Sequence, residues 1–234
     1  MFDRLKNKIH ILQNIYLKNK YLIRRKSYAM DGEDVAINVF NKKDKGFYVD
    51  IGAHHPIQRN NTYLLFKKGW EGINIDVNKF SIDLFNFLRP KDINLQIAVS
   101  DKEGEISFFY QKKFSQLNTT DKEIAKENFQ GNFQEKKVKC QTIQNILDNS
   151  KYKNKKIDLL NIDVEGAEMK VLNTLDFEIY GPSLICVEIL GYREMQSEQR
   201  EKEIKNNKIY KFLVNQGYKK VWSGLSYCSH LFTK

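Results

Sequence analysis

The sequence lacks the features that would assign it to a membrane-spanning, secreted or disulfide-stabilised class. It contains no uninterrupted run of about 18 apolar residues, so we expect no transmembrane helix. The opening residues carry no apolar segment typical of a secretory signal. The cysteines, Cys140, Cys186 and Cys228, are far apart and show no Cys-x-x-Cys spacing, which argues against a disulfide framework and a zinc site. These absences favour a cytoplasmic location.

Net positive charge is low outside the N-terminal segment. The chain has a net charge of +10, and residues 1–26, with eight lysines or arginines and one acid, account for +7 of it. The remaining domain is therefore close to neutral, and we expect no nucleic-acid partner.

The same N-terminal segment has apolar residues at helical spacing: Phe2, Leu5, Ile9, Leu12 and Tyr16. One interpretation is a helix that packs this stripe on the domain or on a second subunit. The other is a basic amphipathic helix that makes peripheral contact with an anionic membrane surface. The sequence leaves both interpretations open, and it predicts no oligomeric state.

From residue 46 onward, apolar segments alternate with amphipathic ones. The pattern predicts strands at 47–51, 73–76, 93–99, 157–163 and 183–189, and helices near 57–69, 78–89, 142–149, 166–175 and 198–216. Strongly apolar strands that alternate with helices predict an α/β fold with a mostly parallel sheet and helices on both faces.

Two further segments depart from this alternation. An insertion at 105–141 contains predicted strands at 105–110 and 136–141, and we expect it to cover the acceptor side of the site. At the C-terminus, predicted strands at 218–222 and 227–233 form an antiparallel hairpin. The chain therefore divides into an extension, 1–26, and one domain, 27–234.

Polar residues at the ends of the predicted strands are the candidates for ligand binding, because open α/β sheets bind ligands there. Asp50 and Gly52, separated by one residue, lie at the end of the first strand. Glycine there permits a tight turn close to a ligand. Asp76 ends the second strand, where a carboxylate can accept both hydroxyls of a ribose. Ala53 and His54 replace the glycines that a pyrophosphate needs. A ligand with a ribose and a carboxylate, such as S-adenosylmethionine, fits better.

Carboxylates also end the fourth and fifth predicted strands. Asp163 ends the fourth strand, Glu165 and Glu168 follow it in the first turn of a helix, and Glu188 ends the fifth strand. An acid such as Glu168 at a helix start can simply favour the helix dipole. An aspartate that ends an apolar, buried strand indicates a functional role instead.

Several linked motifs resemble the FkbM family of S-adenosylmethionine-dependent methyltransferases. The resemblance extends from about residue 27 to the terminal hairpin. Its pieces are SYAMDGED (27–34), FYVDIGAHHP (47–56), NNT (60–62), GWEGINID (69–76), AVSD (98–101), LNT (117–119) and IDVEGAE (162–168). It implies a seven-stranded, Rossmann-like class I methyltransferase fold and O-methylation of a hydroxyl, often on a sugar or a polyketide.

The resemblance also implies roles for particular residues. Those that would bind the cofactor are Asp50, Gly52, Ala53 and His54 at its methionine end, Asp76 at the ribose, and Ser100 and Asp101 beside the adenine. Those that would line the methyl-transfer site are Asp163, Glu165 and Glu168, and Glu188, at the end of the fifth predicted strand, is a further catalytic candidate. Those that would contact a small-molecule or glycan acceptor are Asn61, Thr62, Asn118 and Thr119.

Methyl transfer to a hydroxyl needs a group that accepts the hydroxyl proton. Asp163 and Glu165 are the first candidates, followed by His54 and Glu188. No dedicated metal site is predicted, but a divalent cation held by Asp163, Glu165 and Glu188 is an alternative, because hard oxygen ligands suit Mg²⁺. Two other functions remain as alternatives, an RNA methyltransferase and a non-catalytic domain that binds S-adenosylmethionine or a nucleotide.

Overall fold

The computed structural model describes residues 2–18, 25–111, 118–189, 196–226 and 228–234. The strands in these residues are β1 Phe47–Ile51, β2 Glu71–Asp76, β3 Ile93–Gln96, β4 Ala98–Val99, β5 Gly104–Tyr110, β6 Gln134–Gln141, β7 Leu159–Ile162, β8 Leu184–Glu188, β9 Lys219–Ser223 and β10 Ser229–Thr233. The α-helices are α1 Phe2–Leu12, α2 Glu33–Phe40, α3 Tyr63–Lys67, α4 Lys79–Leu88, α5 Lys122–Asn128, α6 Ile143–Asp148, α7 Glu168–Leu172, α8 Ser197–Asn206 and α9 Lys208–Asn215. A π-helical segment, Gln13–Lys18, continues α1.

Seven strands form the main sheet, in the order β3-β2-β1-β7-β8-β10-β9. Neighbouring strands pair in parallel among β3, β2, β1, β7 and β8. Strand β10 is antiparallel to both β8 and β9. The predicted α/β fold, with a mostly parallel sheet and a C-terminal antiparallel hairpin, is confirmed. Tyr227, at the start of the second predicted hairpin strand, lies outside the described residues.

The central strand β1 is buried on both faces, as its apolar sequence predicts. Phe47, Val49 and Ile51 belong to the core that α6, α7 and α9 cover, and Tyr48 belongs to the core under α2 and α3. Helices therefore cover both faces of the sheet. Because side chains alternate along a strand, Asp50 shares the face of Tyr48, beneath the loop that leads into α3.

Two predicted helices differ from the helices of the structure. The helix predicted near 57–69 is confined to Tyr63–Lys67, because residues 53–62 form turns that buried side chains hold. The helix predicted near 198–216 is two helices, α8 and α9. Asn207 separates them, since its extended backbone ends α8 and its side chain accepts the Ile209 N–H at 2.8 Å.

The third predicted strand, 93–99, is wrong as a single strand. The strand is interrupted at Ile97, whose N–H donates to the Asp76 carbonyl at 3.2 Å. Residues before the break form β3 in the main sheet, and those after it form β4, which pairs with β6 in a separate three-stranded sheet of order β4-β6-β5. The insertion 105–141 therefore builds a small layer with its own core around Phe109, Ala125 and Phe129.

The N-terminal stripe is largely exposed, so the interpretation that it packs on the domain is wrong for Leu5, Ile9 and Leu12. Ile11 and Ile15 are buried against Tyr28, Ile57 and neighbouring side chains. Tyr16 is partly exposed, and its ring meets the Phe87 ring of α4 edge-on, with centroids 6.4 Å apart. The Phe2 side chain lies outside the described part of the chain. Residues 19–24 lie outside the described part of the chain. Within that part, no helix has both the length and the apolar character needed to cross a membrane.

Candidate active site

A cavity lies where the carboxyl ends of β1, β2 and β7 meet the segment after β3 and the insertion. It encloses about 670 Å³ of space between atoms, with the open solvent at its mouth included. Asp76, Asp163 and Glu165 line it, and no lysine or arginine does so among the described residues. Its apolar wall includes Ile75, Ile97, Ala98, Val99 and Phe108.

Gly52 lets the loops after β1 and β7 touch at the floor of the cavity. Its φ of 80° is left-handed, and a Cβ at this position would overlap the carbonyl oxygen of Asp163. The N–H groups of Gly52 and Ala53 donate to the Ile75 carbonyl at 2.9 and 3.1 Å, and the Asp163 N–H donates to the Ile51 carbonyl at 3.0 Å. Backbone contacts therefore join three adjacent strand ends, and glycine is required at their meeting point.

Asp50 is buried and is not among the described residues that line the cavity. Its Oδ1 accepts from Asn161 Nδ2 at 2.8 Å, and its Oδ2 accepts from Thr62 Oγ1 at 2.8 Å and Asn60 Nδ2 at 3.3 Å. Burial raises the pKa of Asp50, while these hydrogen bonds and the charge of Arg89 act in the opposite direction. In this structure Asp50 orients the loop that carries the ligand site.

Arg89 completes this network, although the sequence offered no signal for it. Its side chain is fully buried and donates to Thr62 Oγ1 and Asn60 Oδ1, each at 2.8 Å. It also donates to the Pro56 carbonyl at 2.6 Å and the Tyr48 hydroxyl at 3.0 Å. An arginine at the end of an amphipathic helix is usually solvated, so only the fold reveals its internal role.

Asp76 lines the cavity at the end of β2 and is held by two backbone donors. His54 N–H donates to its Oδ2 at 2.8 Å, and Asn78 N–H donates to its Oδ1 at 2.7 Å. A carboxylate offers about four acceptor sites, so Asp76 can also accept from a hydroxyl of a ligand. Burial raises the pKa of Asp76 to about 6, against the effect of the backbone hydrogen bonds. The arrangement suits the two hydroxyls of a ribose.

The two adjacent histidines have different environments. His54 lines the cavity in a left-handed conformation, with φ of 50°, and burial lowers the pKa of its ring to about 4. His55 is buried beside it, and its Nδ1 accepts the N–H groups of Ile57 and Gln58, both at 3.0 Å. His55 therefore supports the turn, whereas His54 presents a neutral imidazole to the cavity.

The residues predicted to flank an adenine, Ser100 and Asp101, do not line the cavity. Ser100 donates its N–H to the Gln141 carbonyl at 3.0 Å and its hydroxyl to Asp101 Oδ1 at 3.1 Å, beside a separate depression of the surface. Ala98 and Val99 line the cavity instead. The bend at Ile97 shifts the wall toward these apolar residues.

Three carboxylates form a cluster at the ends of β7 and β8. Asp163, Glu165 and Glu188 each bring one oxygen within 4.8 Å of the others. Burial, followed by repulsion from neighbouring carboxylates, raises the pKa of all three groups. Glu188 Oε2 is buried and accepts no hydrogen bond from the residues that the structure describes. Carboxylates this close do not all ionise at neutral pH, so the cluster can hold a proton or a divalent cation.

The turn that carries Glu165 has an unusual backbone that its neighbours support. Glu165 has φ of 52°, which is uncommon for a residue with a side chain. Glu168, buried below the turn, accepts the N–H groups of Gly166 at 3.0 Å and Val164 at 3.3 Å. From the insertion, Thr119 Oγ1 donates to the Glu165 carbonyl at 2.8 Å. Glu168 is thus a structural support here and does not line the cavity.

The residues predicted to contact an acceptor fall into two groups. Asn118 and Thr119 line the cavity from the insertion. Asn61 lies in the loop before α3, where its Nδ2 donates to Asn161 Oδ1 at 2.9 Å, and Thr62 is fully buried in the Asp50 network. The preceding residue of the LNT motif, at position 117, lies outside the described residues.

The cavity also contains residues that the sequence reasoning missed, among them Asn78 and Phe108. The Asn78 side chain accepts the Phe80 N–H at 2.9 Å and caps α4. An asparagine just before a predicted helix indicates such a cap, so the sequence does mark this position. Phe108 reaches the cavity only because β5 pairs with β6 beside the main sheet. No local pattern marks that position.

The structure defines a Rossmann-like α/β protein with a cavity at the carboxyl edge of its parallel sheet. Within that class, the chain belongs to the FkbM methyltransferase family, because the family model described as Methyltransferase FkbM domain matches residues 50–220. The resemblance inferred from the motifs is therefore confirmed, and the protein is a methyltransferase. No curated protein and no solved structure matches the chain.

Replacement of Gly52 by alanine tests the contact at the cavity floor. We expect Gly52→Ala to lower the free energy of unfolding by about 1–2 kcal/mol, because alanine disfavours the left-handed backbone at this position. The overlap of its Cβ with the Asp163 carbonyl should lower the free energy of unfolding by about 1–3 kcal/mol more. Gly69→Ala is the matched control, because Gly69 has φ of 86° but open space around its Cα. Urea unfolding measures both variants, and equal losses would contradict the proposed contact.

Proposed function

We propose that the protein is an S-adenosylmethionine-dependent methyltransferase that O-methylates a hydroxyl of a sugar, a glycan or a secondary-metabolite precursor. The charge of the cavity carries this proposal. Asp76, Asp163 and Glu165 line it, without a lysine or arginine among the described lining residues. Such a site attracts a sulfonium cation, whereas a dinucleotide pyrophosphate would meet carboxylates and no neutralising cation. Membership of the methyltransferase family supports the same cofactor.

The position of the cavity supports a class I methyltransferase fold. The chain builds the sheet outward from β1 to β2 and β3 on one side, and later from β7 to β8 on the other. The strand order therefore reverses between β1 and β7, and ligands of open α/β sheets bind at such switch points. Gly52 and Asp163 occupy the two sides of this point.

The lining residues suit the parts of this cofactor. Asp76 would accept the ribose hydroxyls, and the apolar wall from Ile97 to Val99, with Phe108, would pack against the adenine. Gly52, at the floor of the cavity, would lie beside the methionine portion. When bound, S-adenosylmethionine supplies a methyl group on a positively charged sulfur, and transfer forms an O–C bond as the S–C bond breaks.

Glu165 is the residue that we assign as acceptor of the hydroxyl proton. It lines the cavity, and burial together with the charges of Asp163 and Glu168 raises its pKa. A carboxylate with a raised pKa is a stronger base, which suits proton transfer near neutral pH. Asp163, at the end of the neighbouring strand β7, would orient the acceptor hydroxyl. After methyl transfer, the proton would pass from Glu165 to water.

A divalent cation is the alternative to a direct base. Asp163, Glu165 and Glu188 offer oxygen ligands within 4.8 Å of one another, a donor set that suits Mg²⁺. A cation there would lower the pKa of a bound hydroxyl. Under the direct-base mechanism, we expect methyl transfer to be unchanged after treatment with EDTA. A loss that added Mg²⁺ restores would favour the metal-assisted mechanism.

The acceptor class requires a direct experiment. The protein would be incubated with S-adenosylmethionine labelled in its methyl group and with nucleotide sugars, lipid-linked glycans and RNA. Label in an O-methyl group of a glycan or sugar would support the proposal. Label in RNA alone would favour the nucleic-acid alternative, and cofactor binding without transfer to any acceptor would favour a non-catalytic domain.

Replacement of Asp76 tests the cofactor site. We expect Asp76→Asn to weaken S-adenosylmethionine binding at least tenfold, because a charged acceptor of two hydroxyls is lost. Asp101→Asn is the control, since Asp101 is exposed and lies outside the cavity. Isothermal titration calorimetry measures both affinities. The site would be misassigned if the two variants bound the cofactor equally well.

The same residue predicts a pH dependence. The pKa of Asp76 is raised to about 6, and hydroxyl donors favour its ionised form. Affinity should therefore be full above this pKa and fall as the pH decreases through it, by up to about tenfold per unit. In Asp76→Asn this component should disappear, which separates it from the titration of the other acids.

Replacement of Glu165 tests the catalytic base. We expect Glu165→Gln to lower kcat at least about 100-fold, since general bases contribute about 10²–10⁴ to rates, with the affinity for S-adenosylmethionine within threefold of wild type. Glu127→Gln, the same substitution at an exposed glutamate on α5 of the insertion, is the matched control. Single-turnover methyl transfer gives the rate, and an unchanged rate would remove Glu165 from this role.

A further inference from the structure

The N-terminal helix has one face packed on the domain and the opposite face in solvent. On the packed face, Ile11 and Ile15 are buried, and His10 stacks on Phe80 with ring centroids 4.4 Å apart. Asn7 Nδ2 also donates to Asp83 Oδ2 at 3.3 Å. These contacts fix the orientation of α1 on α4. They therefore also determine which of its side chains face the solvent.

The outer face is apolar. Leu5 and Ile9 are each 56% exposed and Leu12 is 45% exposed. Positions 5, 9 and 12 follow a spacing of four and three residues, so they form one continuous row on a helix. We call these three residues the outer stripe. Tyr16 lies at the border of this face, because its ring meets the Phe87 ring of α4 edge-on. Single exposed apolar side chains are ordinary, but a row of them marks an interaction surface.

Basic residues flank the outer stripe. Arg4, Lys6, Lys8 and Lys18 are exposed, and the sequence contains no acid from residue 4 to residue 18. At about 100° per residue, Lys6 projects about 90° to one side of the centre of the stripe and Lys8 about 70° to the other. Their long stems allow the ammonium groups to reach beyond the plane of the apolar row.

We propose that α1 docks on an anionic lipid surface, with the outer stripe at the boundary of the acyl chains and the flanking cations among the headgroups. Aliphatic side chains flanked by lysines on one helix face are the features that interfacial helices use. A second copy would bring two identical basic surfaces together, which like-charge repulsion disfavours. A nucleic acid would use the cations but would leave the aliphatic row in water.

The position of α1 links this surface to the cavity. Asn7 and His10 line a surface depression together with Asn78 and Phe108, and these last two residues also line the cavity. The helix is therefore a neighbour of the cavity mouth. A protein docked through α1 would work close to the lipid surface, where a lipid-linked acceptor would be within reach.

Vesicle flotation with the full-length chain tests the proposal. We expect binding to vesicles of equimolar phosphatidylcholine and phosphatidylglycerol, and at least tenfold weaker binding to phosphatidylcholine alone. Salt should weaken the binding, since the cations contribute to it. Failure to bind the anionic vesicles would overturn the proposal. The readout does not involve methyl transfer, so its failure would leave the proposed function unaffected.

Two pairs of variants assign the binding to this face. Leu5→Ser/Ile9→Ser should reduce vesicle binding at least tenfold, whereas Val35→Ser/Val39→Ser should not. This control alters two valines, 41% and 64% exposed, at the same spacing on α2. Circular dichroism verifies that both variants fold.

The charge variants follow the same design. Lys6→Glu/Lys8→Glu should abolish binding to the anionic vesicles, whereas Lys202→Glu/Lys205→Glu, an equal charge change at exposed positions of α8, should leave it within threefold. Equal losses in both pairs would mean nonspecific attraction and would contradict docking through α1. A dimer in light scattering that Leu5→Ser/Ile9→Ser dissociates would also overturn the proposal, in favour of a second copy.

Discussion

The buried carboxylate of Asp50 joins the elements that shape the cavity. It accepts hydrogen bonds from Asn161 on the neighbouring strand β7 and from Thr62 in the loop before α3. A buried charge is costly without such partners, and the guanidinium of Arg89 offsets part of that cost. Because the loop is held in this way, Gly52 meets the Asp163 carbonyl in one arrangement. The residues proposed to bind the cofactor and to catalyse the transfer therefore meet at one floor of the cavity.

The cavity concentrates carboxylates in a way that stability alone would not favour. Burial and mutual repulsion raise the pKa values of Asp163, Glu165 and Glu188, so ionisation of the cluster opposes folding. Glu165 also has a left-handed backbone, which Thr119 supports from the insertion. Unfavourable groups of this kind are found where function requires them. A cationic ligand or a bound proton would relieve the repulsion.

Local patterns predicted most of the secondary structure, and long-range pairing accounts for the errors. Apolar segments between polar ones identified every strand of the main sheet, since burial on both faces requires continuous apolar sequence. The segment 93–99 has the same pattern, but its division at Ile97 depends on the pairing of β4 with β6, some 40 residues later. In α1 two apolar rows compete, and the periodicity alone did not show that Ile11 and Ile15 face the domain while Leu5 and Ile9 face solvent.

The sequence by itself determined the family, the α/β fold and the strand ends where chemistry is concentrated, because these follow from local periodicity and short motifs. Gly52, Asp76 and Asp163 are all found at the cavity edge for this reason. Only the tertiary structure decided which side chains face the cavity. It placed Asp50 beneath the loop before α3, where Thr62 donates to its carboxylate, and it brought Phe108 to the wall through β5–β6 pairing. Direction and proximity of side chains depend on contacts between distant segments, which no local pattern contains.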